Sequence, residues 1–119
     1  CNDWQTALVP VYYDVFYRYQ PGYEDIKTVF TIHNIAYQGR YGMELLNDLM
    51  GIPAYHASIL EYDGDVNFMK GAIECADKVT TVSPTYNSVT SAVKLESTGV
   101  SGVTSSNLAI IALSAFSAV

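Results

Sequence analysis

His33 and Asn34 are the residues whose types and placement best fit chemistry in this chain. They follow Val29, Phe30, Thr31 and Ile32, a short apolar and β-branched run. Such a run predicts a strand buried on both faces of a parallel sheet. Ligands of open α/β sheets bind just past the carboxyl ends of the strands. A neutral His ring placed there offers one donor and one acceptor, although it can also serve only to satisfy strand-end carbonyls. Tyr37 and Gln38 extend the polar stretch, and Gly39 allows the turn that follows. Upstream, Asp3 either caps a helix, worth about 1 kcal/mol, or presents its carboxylate to a ligand. Trp4 beside it either stacks on a ligand or fills the core. Ser83 and Tyr86 close a later segment and are weaker candidates, with Pro84 between them acting as a strand stop.

The elements that must position these residues alternate between helix and strand. Asp3 opens a predicted helix through Ala7, Leu8, Val11, Tyr12, Val15 and Phe16, whose spacing of three and four makes one apolar stripe. Pro10 lies inside it and is expected to kink it by removing a backbone donor. Pro21 and Gly22 mark a surface loop over residues 20–25. After the strand ending at Ile32 come a loop through Gly42 and a short helix over residues 43–50, closed by Gly51. Asn67 can cap a further helix through Phe68, Ala72, Ile73 and Ala76, and residues 78–82 form the next strand. Strand, helices and strand in this order predict a right-handed parallel crossover and the α/β class.

The texture changes after Tyr86. Residues 87–119 are dominated by Ser, Val, Ala and Thr, with only Lys94 and Glu96 charged. No structure is expected of them, and the apolar run over residues 108–119 is too short to span a bilayer.

Composition excludes several classes. The chain of 119 residues is half hydrophobic, enough for one domain with a core, and carries a net charge of −6. Its six Lys and Arg residues are scattered, so a nucleic-acid footprint is missing. Cys1 and Cys75 form no C-x-x-C pair and read as free thiols. Asp63-Gly64-Asp65 resembles a metal-binding Asp-x-Asp, but a surface turn is the simpler reading in an acidic chain. Asp63, Asp65, Asn67 and Glu74 also carry the spacing of a calcium loop, yet Phe68 stands where the sharp turn needs Gly. His56 has no partners at metal spacing and reads as surface.

Three motifs in order carry a resemblance: Asn2-Asp3-Trp4, then His33-Asn34-x-x-Tyr37-Gln38-Gly39, then Val82-Ser83-Pro84-Thr85-Tyr86. Together they resemble bacterial glycogen synthases and plant starch synthases over about residues 1–86, with none of these motifs in residues 87–119. The resemblance implies a fragment of a Rossmann-like parallel-sheet domain, the acceptor-side half of a two-domain (GT-B type) glycosyltransferase. It implies glucose transfer from ADP-glucose to the non-reducing end of an α-1,4-glucan, with retention and with no metal or other cofactor. It assigns His33 and Asp3 to catalysis, and Asn34, Trp4, Tyr37 and Gln38 to substrate binding. The phosphate-binding loop and cations of that family would lie outside this sequence, so an internal fragment, inactive alone, is expected. No nucleic-acid or membrane partner is implied, and the location is the bacterial cytoplasm or, for a plant source, the plastid. A non-catalytic glucan-binding module and a related enzyme with another donor or acceptor are the alternatives.

Overall fold

The computed structural model describes residues 1–82. Its centre is a parallel pair, β1 (Val29–Ile32) and a later strand (Lys78–Thr81), in the register Val29 to Lys78 through Ile32 to Thr81. The other edge of β1 takes the start of the chain. Asn2 bridges Thr31 in parallel, with Asp3 N donating to Thr31 O at 2.9 Å and Thr31 N to Cys1 O at 2.8 Å. Parallel neighbours need a crossover, and residues 33–77 supply it. The fold is therefore mixed α/β around a short parallel sheet.

One expectation for β1 is corrected. Phe30 and Ile32 are buried, but Val29 is exposed and Thr31 only half-buried. The helices cover one face of the strand, and the other carries a hydroxyl pair, Thr31 and Thr80, at 2.9 Å. The Val-Phe-Thr-Ile run is thus an alternating strand with one buried face.

The first helical stretch also differs from its expected form. It is a 3-10 turn over Trp4–Thr6, an α-helix α1 over Leu8–Tyr12, and a wider π turn over Tyr13–Tyr17. Asp3 precedes it without a capping bond from its side chain, because that carboxylate is used elsewhere. Pro10 falls at the third position of α1, where a backbone N–H has no intrahelical partner in any case. The irregularity sits instead at the π turn, closed by Arg18 N donating to Tyr13 O at 2.7 Å. Arg18 braces it: Nε meets Asp14 at 2.6 Å, Nη1 meets Asp77 at 3.1 Å, and Nη2 donates to Cys75 O at 3.2 Å.

The helix expected over residues 43–50 is shorter than that, a single turn α2 (Leu45–Asp48) flanked by turns, and Gly51 follows at φ 61°. A second short helix, α3 (Ala57–Leu60), was not signalled by the sequence pattern. Three strands of two or three residues make a small antiparallel sheet in the order β2–β4–β3: β2 (Arg40–Tyr41), β3 (Glu61–Tyr62) and β4 (Asp65–Asn67). Asp63 and Gly64 form the turn between β3 and β4, both with positive φ (54° and 81°), the type I′ geometry of a two-residue hairpin.

The longest helix, α4 (Phe68–Cys75), starts where predicted: Asn67 Oδ1 accepts from Lys70 N at 2.9 Å. The parallel partner of β1 follows it and is β5 (Lys78–Thr81). Gly71 lets α4 press against its neighbours, since a Cβ there would fall 2.5 Å from Leu60 Cδ2 and 3.0 Å from Val11 Cγ2. Phe30, Ile52, Leu60, Val66 and Met69 fill the core between α4, β1 and the small sheet. Lys70 is buried there too, its Nζ donating to Ser58 O and Ile59 O and pairing with Glu74 at 2.7 Å. A buried ammonium is tolerable only with such partners.

Candidate functional site

The end of β1 is held by the two residues beside it. Asp3 Oδ1 accepts the backbone N–H of His33 at 2.7 Å and that of Asn34 at 3.2 Å. To do so Asp3 adopts φ 52° and ψ −176°, a conformation that is costly for a residue with a side chain. The His33 side chain is exposed, and its Nε2 lies 3.0 Å from Asn2 Oδ1. Asn34 folds the next turn, its Oδ1 accepting from Ala36 N at 3.0 Å. Tyr37 then projects from the loop, 67% exposed.

The loop is fastened at its far end to α4. Phe68 N donates to Gly39 O at 3.1 Å and Met69 N to Gln38 O at 3.0 Å, so the loop carbonyls satisfy the first free donors of that helix. Gln38 Oε1 accepts from Asn67 Nδ2 at 2.7 Å, and its Nε2 donates to Ile35 O at 3.2 Å. One residue, Asn67, therefore caps α4 and anchors the loop.

Two open clefts meet at Trp4 and Tyr37. One, of about 390 Å³, is lined by Asp3, Trp4, Gln5, Asn34 and Tyr37. The other, of about 410 Å³, is lined by Trp4, Ala36, Tyr37, Gln38, Gly39 and Arg40. Trp4 is partly buried where the clefts join. It packs on Tyr41 and Phe68, with ring centroids 6.1 and 6.3 Å away, and still forms a wall of both clefts. Gly39 sits against it at φ 69°, and a Cβ there would come 2.8 Å from Trp4 Cε3.

The structure thus brings together Asp3, Trp4, Asn34 and Tyr37, adds Gln38 on the second side, and leaves His33 at the adjoining strand end. Ser83, Pro84 and Tyr86 lie outside the described residues. Asn2, Gln5 and Arg40 were not singled out as site residues, although Asn2 belongs to the first motif and the other two adjoin motif ends. Arg40 is turned toward Asp65 at 3.1 Å and Asp63 at 3.6 Å, so the acidic turn pairs with a cation from this chain. Among the described residues no group of three or more His, Cys, Asp or Glu side chains could hold a metal ion. Nor is any described helix long and apolar enough to cross a membrane. Amide and carboxylate groups between two aromatic rings suit a ligand with hydroxyls on its edges and apolar faces.

A cleft past a parallel strand, walled by Asp, Asn, Trp and Tyr, marks a mixed α/β protein with a candidate site at the sheet's carboxyl end. The starch synthase catalytic domain family matches residues 1–101, and the chain belongs to that family. It is 50% identical over 88 residues to the glycogen synthase of Desulfitobacterium hafniense, covering 72% of this chain and 19% of that protein. It is 51% identical over 87 residues to the glycogen synthase of Pseudothermotoga lettingae, covering 71% of this chain and 18% of the relative. The glycogen synthase of Alkaliphilus metalliredigens matches at 47% over 88 residues, covering 72% and 18%. The chain therefore spans less than a fifth of the length of these curated relatives.

Proposed function

We propose that this chain is part of the N-terminal, acceptor-side domain of a glycogen or starch synthase. In this reading the enzyme transfers glucose from ADP-glucose to the non-reducing end of an α-1,4-glucan with retention. The observation that carries it is the cleft shared by Asp3, Trp4, Asn34 and Tyr37, in a chain belonging to the starch synthase catalytic domain family. The parallel sheet is then a piece of a Rossmann-like domain in a two-domain GT-B architecture. Residues 1–86 carry the catalytic-domain motifs, and residues 87–119 carry none of them.

In this reading the site residues take the following roles. His33 contacts the donor glucose and helps stabilise its oxocarbenium-like transition state. Asp3 holds the strand end with one carboxylate oxygen and meets sugar hydroxyls from the cleft wall. Asn34 lines the same wall, and Trp4 and Tyr37 pack on sugar faces. Gln38, its amide bonded to Ile35 and Asn67, serves as a fixed wall of the second cleft. Holding donor and acceptor in the reacting geometry can supply about 7–11 kcal/mol of the barrier reduction. The reading calls for no metal or cofactor, no nucleic acid and no membrane, and places the protein in the bacterial cytoplasm or a plastid.

The test is to supply ADP-glucose and glycogen to the full-length polypeptide that carries this sequence and to measure ADP release together with glucan elongation. Coupled release and elongation are expected, with none from residues 1–119 alone. Glycogen binding without ADP release would point to a glucan-binding module. Release from a different nucleotide sugar alone would point to a related transferase.

A further inference from the structure

We infer that Asn2 is a positioning residue that decides which nitrogen of the His33 ring carries the proton. The kinetic consequence rests on the glucan-transfer reading above; the structural one rests on geometry alone.

The Asn2 backbone is fixed on both sides. Its N–H donates to Thr6 Oγ1 at 2.6 Å, its carbonyl accepts from the same hydroxyl at 2.8 Å, and it bridges Thr31 as a strand neighbour. His33 is fixed as well, by its backbone N–H on Asp3. Between these two anchored backbones the side chains meet, Asn2 Oδ1 to His33 Nε2 at 3.0 Å. An amide oxygen can only accept, so Nε2 must carry the proton. A neutral imidazole then has its lone pair on Nδ1. That nitrogen can take a hydrogen bond from a ligand hydroxyl and cannot donate one. Asn2 thereby gives His33 an acceptor's role toward the sugar, without touching the sugar itself.

The experiment uses the full-length polypeptide with ¹⁵N-labelled histidine. Two-bond ¹H–¹⁵N correlation spectra report which ring nitrogen of His33 is protonated, and His33→Gln assigns the signal. The expected result is a protonated Nε2 in the parent, a mixture of tautomers in Asn2→Ala, and restoration in Asn2→Asp, which keeps an acceptor oxygen. In steady-state assays Asn2→Ala should lower kcat roughly five- to tenfold, the weight of one neutral hydrogen bond, while KM for ADP-glucose stays unchanged. A parent ring protonated on Nδ1 overturns the inference, and this arm needs no variant to fold. An Asn2→Ala protein with the parent's tautomer and kcat overturns it as well, leaving the transfer reading intact. A parent that transfers no glucose sinks the transfer reading alone, because the spectra still decide the role of Asn2.

Discussion

Asp3 and His33 are 30 positions apart, and the Asp3 carboxylate accepts the His33 backbone N–H at 2.7 Å. The same oxygen takes the Asn34 N–H at 3.2 Å. One side chain from the start of the chain therefore holds the end of a strand that comes much later. The cost is borne locally, in the positive φ of Asp3.

That combination separates two substitutions. Asp3→Ala loses the clamp and keeps the unfavourable backbone, whereas Asp3→Gly loses the clamp and is free of the strain. Asp3→Ala should therefore be the less stable of the two, by about 1 kcal/mol. Urea unfolding of both variants checks this, and equal midpoints would remove the strain argument.

His33→Ala in the full-length polypeptide should cut glucosyl transfer by about 10²–10³-fold, the usual cost of one transition-state hydrogen-bonding group. Its side chain is exposed, so the melting temperature should hardly move. Near-parental turnover in a folded variant would remove His33 from the site.

Gly39→Ala should disturb Trp4. The new methyl would need to sit 2.8 Å from Cε3 and 3.1 Å from Phe68 Cβ, at a backbone φ of 69° that a side chain disfavours. A destabilisation of about 1–3 kcal/mol is expected. Trp4 is the one Trp of the chain, so residues 1–119 provide a clean fluorescence reporter. A red-shifted emission supports the displacement, and an unchanged spectrum counts against it.

Acid should weaken the tie between α4 and β1 through Asp77. The Thr28 backbone N–H lowers its pKa from the ordinary 3.8, burial opposes that shift, and Arg18 adds to it. A carboxylate depressed in the folded state stabilises the protein above its unfolded pKa, and that contribution is lost as pH falls through the folded value. The stability gap between parent and Asp77→Asn should thus be full at neutral pH and shrink below 3.8. Urea midpoints taken down an acid series test it, and a constant gap would show that ionisation is irrelevant there.

The elements that the sequence announced share local signals. Phe30 and Ile32 in a β-branched run, Asn67 ahead of an apolar helix, and Gly51 after a short one each state their structure within a few residues. The small antiparallel sheet was not legible, because strands of two or three residues leave no period to read. Asp63-Gly64 was its one signal, a hairpin dipeptide that also invites reading as metal chemistry. The cleft was legible as motif residues but not as a clamp. That Asp3 bonds the strand end rather than its own helix depends on a backbone angle and a pairing that no local pattern carries.

The β1–β5 pairing also sets a timetable. Thr31 meets Thr80, and Asp77 meets Thr28, each across 49 positions. Closing so long a stretch costs chain entropy that is repaid only when the strands touch. On a ribosome, β1 would emerge with Cys1–Asp3 on one edge and, among the described residues, no strand for the other until Lys78 had been made. During that interval the growing chain exposes an open strand edge, the surface most prone to pairing with a wrong neighbour. Slow translation between residues 33 and 77 would lengthen that exposure.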